Sequence, residues 1–215
     1  MRFEEDKKMR KRAFVSVLIV FLMLLCQCLY AQRQSLSFHA HLGMASPAKK
    51  NIHSSLASGF GIAYPFTDTL AVLLDFELWR SSVDVDPDDF YNGEISMTPF
   101  LVSMQYSLTS GGRIHPYVLI GTGYVFSSFK IGDVITIPEV TISQKVKSGM
   151  CFQAGAGTMF KITKSVALTV EGFFLFRKAT GTTTITDLNF GLSTSDFSVD
   201  LSTLVLHIGI KYFPQ

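Results

Sequence analysis

Ten side chains have types and spacings that could do chemistry: His39, His41, Asp75, Glu77, Gln153, Lys161, Glu171, Arg177, His207 and Lys211. His39 and His41 stand two apart, a spacing that puts two imidazoles on one face of a strand, where they could meet a metal ion. The sequence sets no third ligand beside them, so both are read as part of a polar network and no metal is expected. Histidine with carboxylates also evokes acyl chemistry, which needs a serine hydroxyl within reach of the imidazole. His207 is followed by Ile208 and Gly209, with no accessible serine nearby, so neither an enzyme nor a cofactor is expected. Asp84, Asp86, Asp88 and Asp89 invite a calcium reading, but the stretch lacks the twelve-residue spacing with its mid-loop glycine and terminal glutamate.

The element that must position these groups is clearest in residues 150–177. Met150, Phe152, Ala154, Ala156, Thr158 and Phe160 alternate with Cys151, Gln153, Gly155, Gly157, Met159 and Lys161. After the turn Ile162-Thr163-Lys164-Ser165, Val166, Leu168, Val170, Phe174 and Phe176 resume one face, and Glu171 and Arg177 fall on the other. The period is two, that of a strand. One face is apolar and free of charge, while the other is small or polar. Such a strand suits lipid on one side and a narrow barrel interior on the other.

Eight such runs are expected, and the ten polar residues share their inward face. Connections 2–3, 4–5 and 6–7 are short, the other four are long, and 179–200 is read as a Thr- and Ser-rich loop. Even strand number with short turns at one end and long loops at the other predicts an all-β, eight-stranded antiparallel up-and-down transmembrane barrel with periplasmic turns and extracellular loops. Tyr64, Tyr106, Tyr117 and Tyr212 fall at the turn end and predict an interfacial aromatic girdle, with Tyr117 one residue out of phase. Pro99 within the fourth run predicts a bulge or local break. With eight strands the interior is just wide enough for side chains to fill, so a buried network of paired charges is expected. A soluble lipocalin-like barrel would reverse the two faces. Against it, the apolar positions are nearly devoid of charge, with Arg80 the exception, and short and long connections alternate throughout.

Lys7, Lys8, Arg10, Lys11 and Arg12 precede a largely apolar run at 13–25 and Leu29-Tyr30-Ala31, which predicts a cleaved signal peptide over 1–31 and a barrel domain over 32–215. Thirteen residues fall short of the roughly 20 needed by a spanning helix. The signal takes six of the 19 basic and three of the 17 acidic residues, leaving 13 against 14. A near-neutral chain argues against nucleic acid as a partner. Cys26 and Cys28 leave with the signal, and Cys151 remains as a small interior residue without a disulfide partner.

At Pro116-Tyr117-Val118-Leu119-Ile120-Gly121-Thr122-Gly123-Tyr124, at Gly155-Ala156-Gly157, and at Ile162-Thr163-Lys164-Ser165-Val166-Ala167-Leu168, the chain resembles the OmpA/OmpX-like family of eight-stranded outer-membrane barrels. The resemblance implies a protein of the bacterial outer membrane, inserted by the barrel assembly machinery among lipid and lipopolysaccharide, and expected to be a monomer. Functions in that group include adhesion, envelope integrity, immune evasion and passage of small molecules. It also includes lipid A-modifying enzymes with a His, a Ser and an acidic residue, which this chain does not match in sequence. A surface ligand held by the loops is the expected role, with passage of a small hydrophobic solute near Pro99 as the alternative. Residues 179–200, rich in threonine and serine, and 134–142, a candidate edge for strand addition, are the expected contact surfaces.

Overall fold

In the computed structural model the described residues are 36–85, 92–109, 111–132, 140–187 and 191–214. The expected signal at 1–31, Asp86, Asp88 and Asp89, and residues 134–139 of the expected edge lie outside them. Period-two alternation is realised as eleven strands: β1 (Ser37–Pro47), β2 (Ser55–Pro65), β3 (Leu70–Val83), β4 (Gly93–Ser107), β5 (Ile114–Ile131), β6 (Val140–Val146), β7 (Gly149–Lys161), β8 (Val166–Phe176), β9 (Lys178–Asp187), β10 (Gly191–Asp200) and β11 (Thr203–Tyr212). Eight of them close a barrel in the order β1-β11-β8-β7-β5-β4-β3-β2, every pair antiparallel. Closure comes from β1 against β11, from Phe38↔Tyr212 to Pro47↔Thr203, which leaves no sheet edge within the wall.

Two of the short turns, β2–β3 and β7–β8, share one chemistry. Thr67 Oγ1 accepts from the backbone N–H of Leu70 (2.9 Å) and Thr163 Oγ1 accepts from that of Val166 (3.0 Å). Each threonine thereby satisfies the first donor of the returning strand and fixes the register of its hairpin. Outward side chains form a continuous apolar belt, including Phe38, Leu42, Phe60, Val102, Ile120, Phe126, Phe152, Ile208 and Ile210, all exposed. That much apolar surface turned outward requires lipid around it.

The fourth connection differs from the sequence reading. Residues 179–200 are not an open loop but the hairpin β9–β10, and Lys178↔Asp200 continues the register of Leu175↔Thr203. β-branched threonines suit a pleated ladder, and the wall below supplies the alignment. β6 adds to the far side of β9 from Val140↔Asp187 to Val146↔Gly181, so part of the expected strand-addition edge is already paired. The walls β7, β8 and β11 thus extend past the barrel rim as a three-stranded sheet, order β10-β9-β6.

Pro99 makes a break rather than a bulge. The β3–β4 ladder lapses after Phe76↔Phe100 and resumes at Trp79↔Met97 in unchanged register, because proline has no N–H to give.

Candidate functional site in the lumen and at the loop end

Two layers fill the lumen. Towards the loop end the inward side chains are apolar: Ala45, Ala57, Trp79, Val83, Ile95, Met97, Leu101, Val125, Leu175 and Val205 are all buried and belong to one cluster with Cys151. The inward face of the 150–177 hairpin reads as small or polar in the sequence. In this half the lumen is hydrophobic, because no water reaches it and packing alone has to fill it.

The polar layer lies nearer the turns, around a cavity of about 30 Å3, room for one or two waters. Its construction depends on glycine. His39, Gly61 and Asp75 stand in register on β1, β2 and β3, as do His41, Gly59 and Glu77. A Cβ at Gly61 would collide with both His39 Nε2 and Asp75 Oδ1, and one at Gly59 would collide with His41 Nε2. Side chains two strands apart therefore meet over the bare backbone of β2. His39 Nε2 lies 2.5 Å from Asp75 Oδ1, and His41 Nε2 lies 3.7 Å from Glu77 Oε1. From β11, His207 brings Nε2 to 3.9 Å from Glu77 Oε2 and stacks its ring on His41, centroids 4.2 Å apart.

Of the ten polar residues, His39, His41, Asp75, Glu77, Gln153, Glu171, His207 and Lys211 line this cavity. Two do not. Lys161 shares the inward parity but is exposed at the end of β7, where the strand leaves the barrel for its turn. Arg177 is buried at the opposite end, at the junction of β8 and β9, donating to Ser127 Oγ (2.6 Å) and to the carbonyl of Lys147 (2.7 Å). It ties the rim strands together at the foot of the outer sheet.

Tyr117 is corrected from the girdle to the lumen. It is 3 % exposed and donates its hydroxyl hydrogen to Glu171 Oε2 at 2.8 Å. Tyr106 and Tyr212 remain outward and about half exposed, whereas Tyr64 is buried with its ring edge-on to Phe66. Ser103, which accepts from Gln153 Nε2, also lines the cavity together with Gln105 and Thr169. Both Ser103 and Gln105 share the parity of Leu101, which was the signal available in the sequence.

Beyond the rim, β10 is paired on one side only among the described residues, and most of its side chains are exposed. Asp200, at its end, accepts from the backbone N–H of Ser202 at 2.9 Å, and hydrogen bonding to Ser202 holds its carboxyl below the ordinary aspartate value.

A closed eight-stranded wall with an apolar belt, short turns at one end and strands extended at the other defines an outer-membrane β-barrel. No protein-family model matches the chain, and no curated protein matches it in sequence. Solved structures match the fold. The outer membrane protein OprG from Pseudomonas aeruginosa is similar with a TM-score of 0.66 at 18% identity, over 83% of this chain and 96% of that one. Neisserial surface protein A gives 0.55 at 12% identity, over 83% and 97% of the two chains. The outer membrane protein AlkL, solved in lipid bilayers, gives 0.51 at 18% identity, over 86% and 93%. The chain has the eight-stranded barrel fold of these outer-membrane proteins.

Proposed function

We propose that this barrel is a rigid, non-enzymatic scaffold whose task is surface binding through the extracellular sheet β6–β9–β10. The observation that carries the reading is the unpaired edge of β10, which stands beyond the membrane on a wall that continues β11. An edge strand offers a row of free N–H and C=O groups to an extended partner segment. Thr180, Thr182, Thr183, Thr184, Thr186, Ser193, Thr194 and Ser195 add hydroxyls to the same sheet.

The test is to replace 181–197 by Asn-Gly, which joins the paired residues Thr180 and Ser198 through a two-residue turn. The variant should keep heat-modifiable migration and lose surface adhesion of expressing cells. Adhesion at the wild-type level, with envelope integrity also intact, would leave the sheet without this role.

A second reading rests on Pro99. The lapse in the β3–β4 ladder lies at Glu77-Leu78 and Thr98-Pro99, next to the apolar layer of Trp79, Met97 and Leu101. A small hydrophobic solute could cross the wall sideways there. Liposome uptake of apolar solutes by wild type and by Pro99→Ala separates this from binding at the sheet: passage would respond to the Pro99 variant and not to the loss of 181–197.

A further inference from the structure

Among the buried atoms of the polar layer that make no hydrogen bond are His39 Nδ1 and Gln153 Oε1 and, close to one another, one atom each of His41, Glu77 and His207. His41 Nε2, Glu77 Oε2 and His207 Nε2 make no hydrogen bond, and Glu77 and His207 are 2 % and 4 % exposed. One ligand atom from each of the three residues falls within 4.8 Å of the other two. A buried polar atom left bare is costly, so three close together call for a shared partner.

The charges around them favour a cation. Asp75, Glu77 and Glu171 line the cavity against a single ammonium, Lys211. Asp75 is engaged by His39 and Glu171 by Tyr117, whereas one oxygen of Glu77 is not engaged at all. Three carboxylates facing one ammonium are an acidic excess that a bound cation would offset.

We propose that His41, Glu77 and His207 form a lumenal site for one divalent transition-metal ion. Two imidazoles and a carboxylate are a donor set that zinc accepts, with one position left for water. Around a tetrahedral zinc, neighbouring ligand atoms stand about 3.4 Å apart given its usual bond lengths. His41 stands 3.7 Å from Glu77 Oε1 and His207 3.9 Å from Glu77 Oε2, about 0.3 and 0.5 Å longer, and single ligand atoms of the three residues lie within 4.8 Å of one another, so the side chains must close in on an ion. The two rings lie 17° from parallel and must turn apart to aim at one ion. The bare backbone of Gly59 is what admits His41 Nε2 beside Glu77, in the space a Cβ would fill. The three ligands come from β1, β3 and β11, so the ion would cross-link the wall where the barrel closes.

Zinc chloride is the probe. The barrel, refolded in detergent micelles, is dialysed against it and bound metal is counted by mass spectrometry. One zinc per folded barrel is expected, retained in His53→Gln and weakened at least ten-fold in Glu77→Gln and in His207→Gln. His53 with Asp84 is the exposed pair that a surface artefact would use. Heat-modifiable migration checks the folding of each variant. Should either lumen variant fail to fold, histidine NMR of the wild-type barrel with cobalt decides: His41 and His207 resonances broaden while His115, hydrogen-bonded to the turn carbonyls of Thr109 and Gly112, stays sharp. A folded wild-type barrel that takes up no zinc, or zinc that follows His53 instead, overturns the proposal.

Discussion

Tyr117 reaches Glu171 across Gly157, the residue that separates them on β7. A Cβ at Gly157 would lie 2.6 Å from the phenol oxygen. Gly157→Val should therefore push Tyr117 off its carboxylate and overpack the lumen, costing about 1–3 kcal/mol. Tyr117→Phe should cost about the same, by leaving a buried carboxylate oxygen without its donor. Urea unfolding followed by Trp79, the one tryptophan of the chain and a buried one, measures both. Stability unchanged in both variants would mean that the pair contributes nothing.

The lipid-facing assignment is tested by charge. Ile208 is 61% exposed on the belt, and Ile208→Arg should destabilise the barrel by up to about 2–4 kcal/mol, according to its depth in the bilayer. Leu192 is 71% exposed on β10, beyond the membrane, where Leu192→Arg should fall within about 0.5 kcal/mol of wild type. Equal effects of the two would contradict the division between belt and sheet.

The strand pattern was legible because one face of each strand is uniformly apolar. Leu204, Leu206, Ile208 and Ile210 alternate with Thr203, Val205, His207 and Gly209, and the structure turns the first set outward. Parity set Leu101, Val125 and Val205 inward, as the structure has them, but parity does not tell height along the barrel, so the gathering of apolar side chains in one half of the lumen was not legible. Tyr117 was misplaced for a related reason, since an aromatic near a strand end suits the interface and only its phase put it inside. The hairpin of 178–200 was hidden by a composition typical of solvated loops, while its register comes from β8 and β11 beneath it. Lys161 has the right parity at the wrong height. The meeting of His41, Glu77 and His207 joins three strands distant in sequence, and depends on the closure of β1 on β11.

Cys151 is fully buried in the apolar layer and is the free thiol of the described residues. It should resist a water-soluble thiol reagent in the folded barrel and react once the protein is boiled in detergent. Rapid labelling of the folded form would reveal water in that layer.

Asp200 gives the outer sheet a pH response. Its folded pKa is lowered, so its stabilising bonds to Ser202 are present above the unfolded value of about 4 and are lost as pH falls through the folded value. The Ser202 amide resonance should titrate with the Asp200 carboxyl at an apparent pKa below that of a free aspartate, and Asp200→Asn should abolish the titration. A midpoint at or above the free value would contradict the hydrogen-bonded arrangement.

Single-barrel conductance in a planar bilayer tests most directly whether this wall is a filled scaffold carrying a surface sheet. Ile95, Met97, Leu101, Val125, Leu175 and Val205 leave no exposed surface in the loop-end half of the lumen, so the folded monomer should give no resolved current steps. Stable openings of nanosiemens size from the monomer would show an open interior and contradict it.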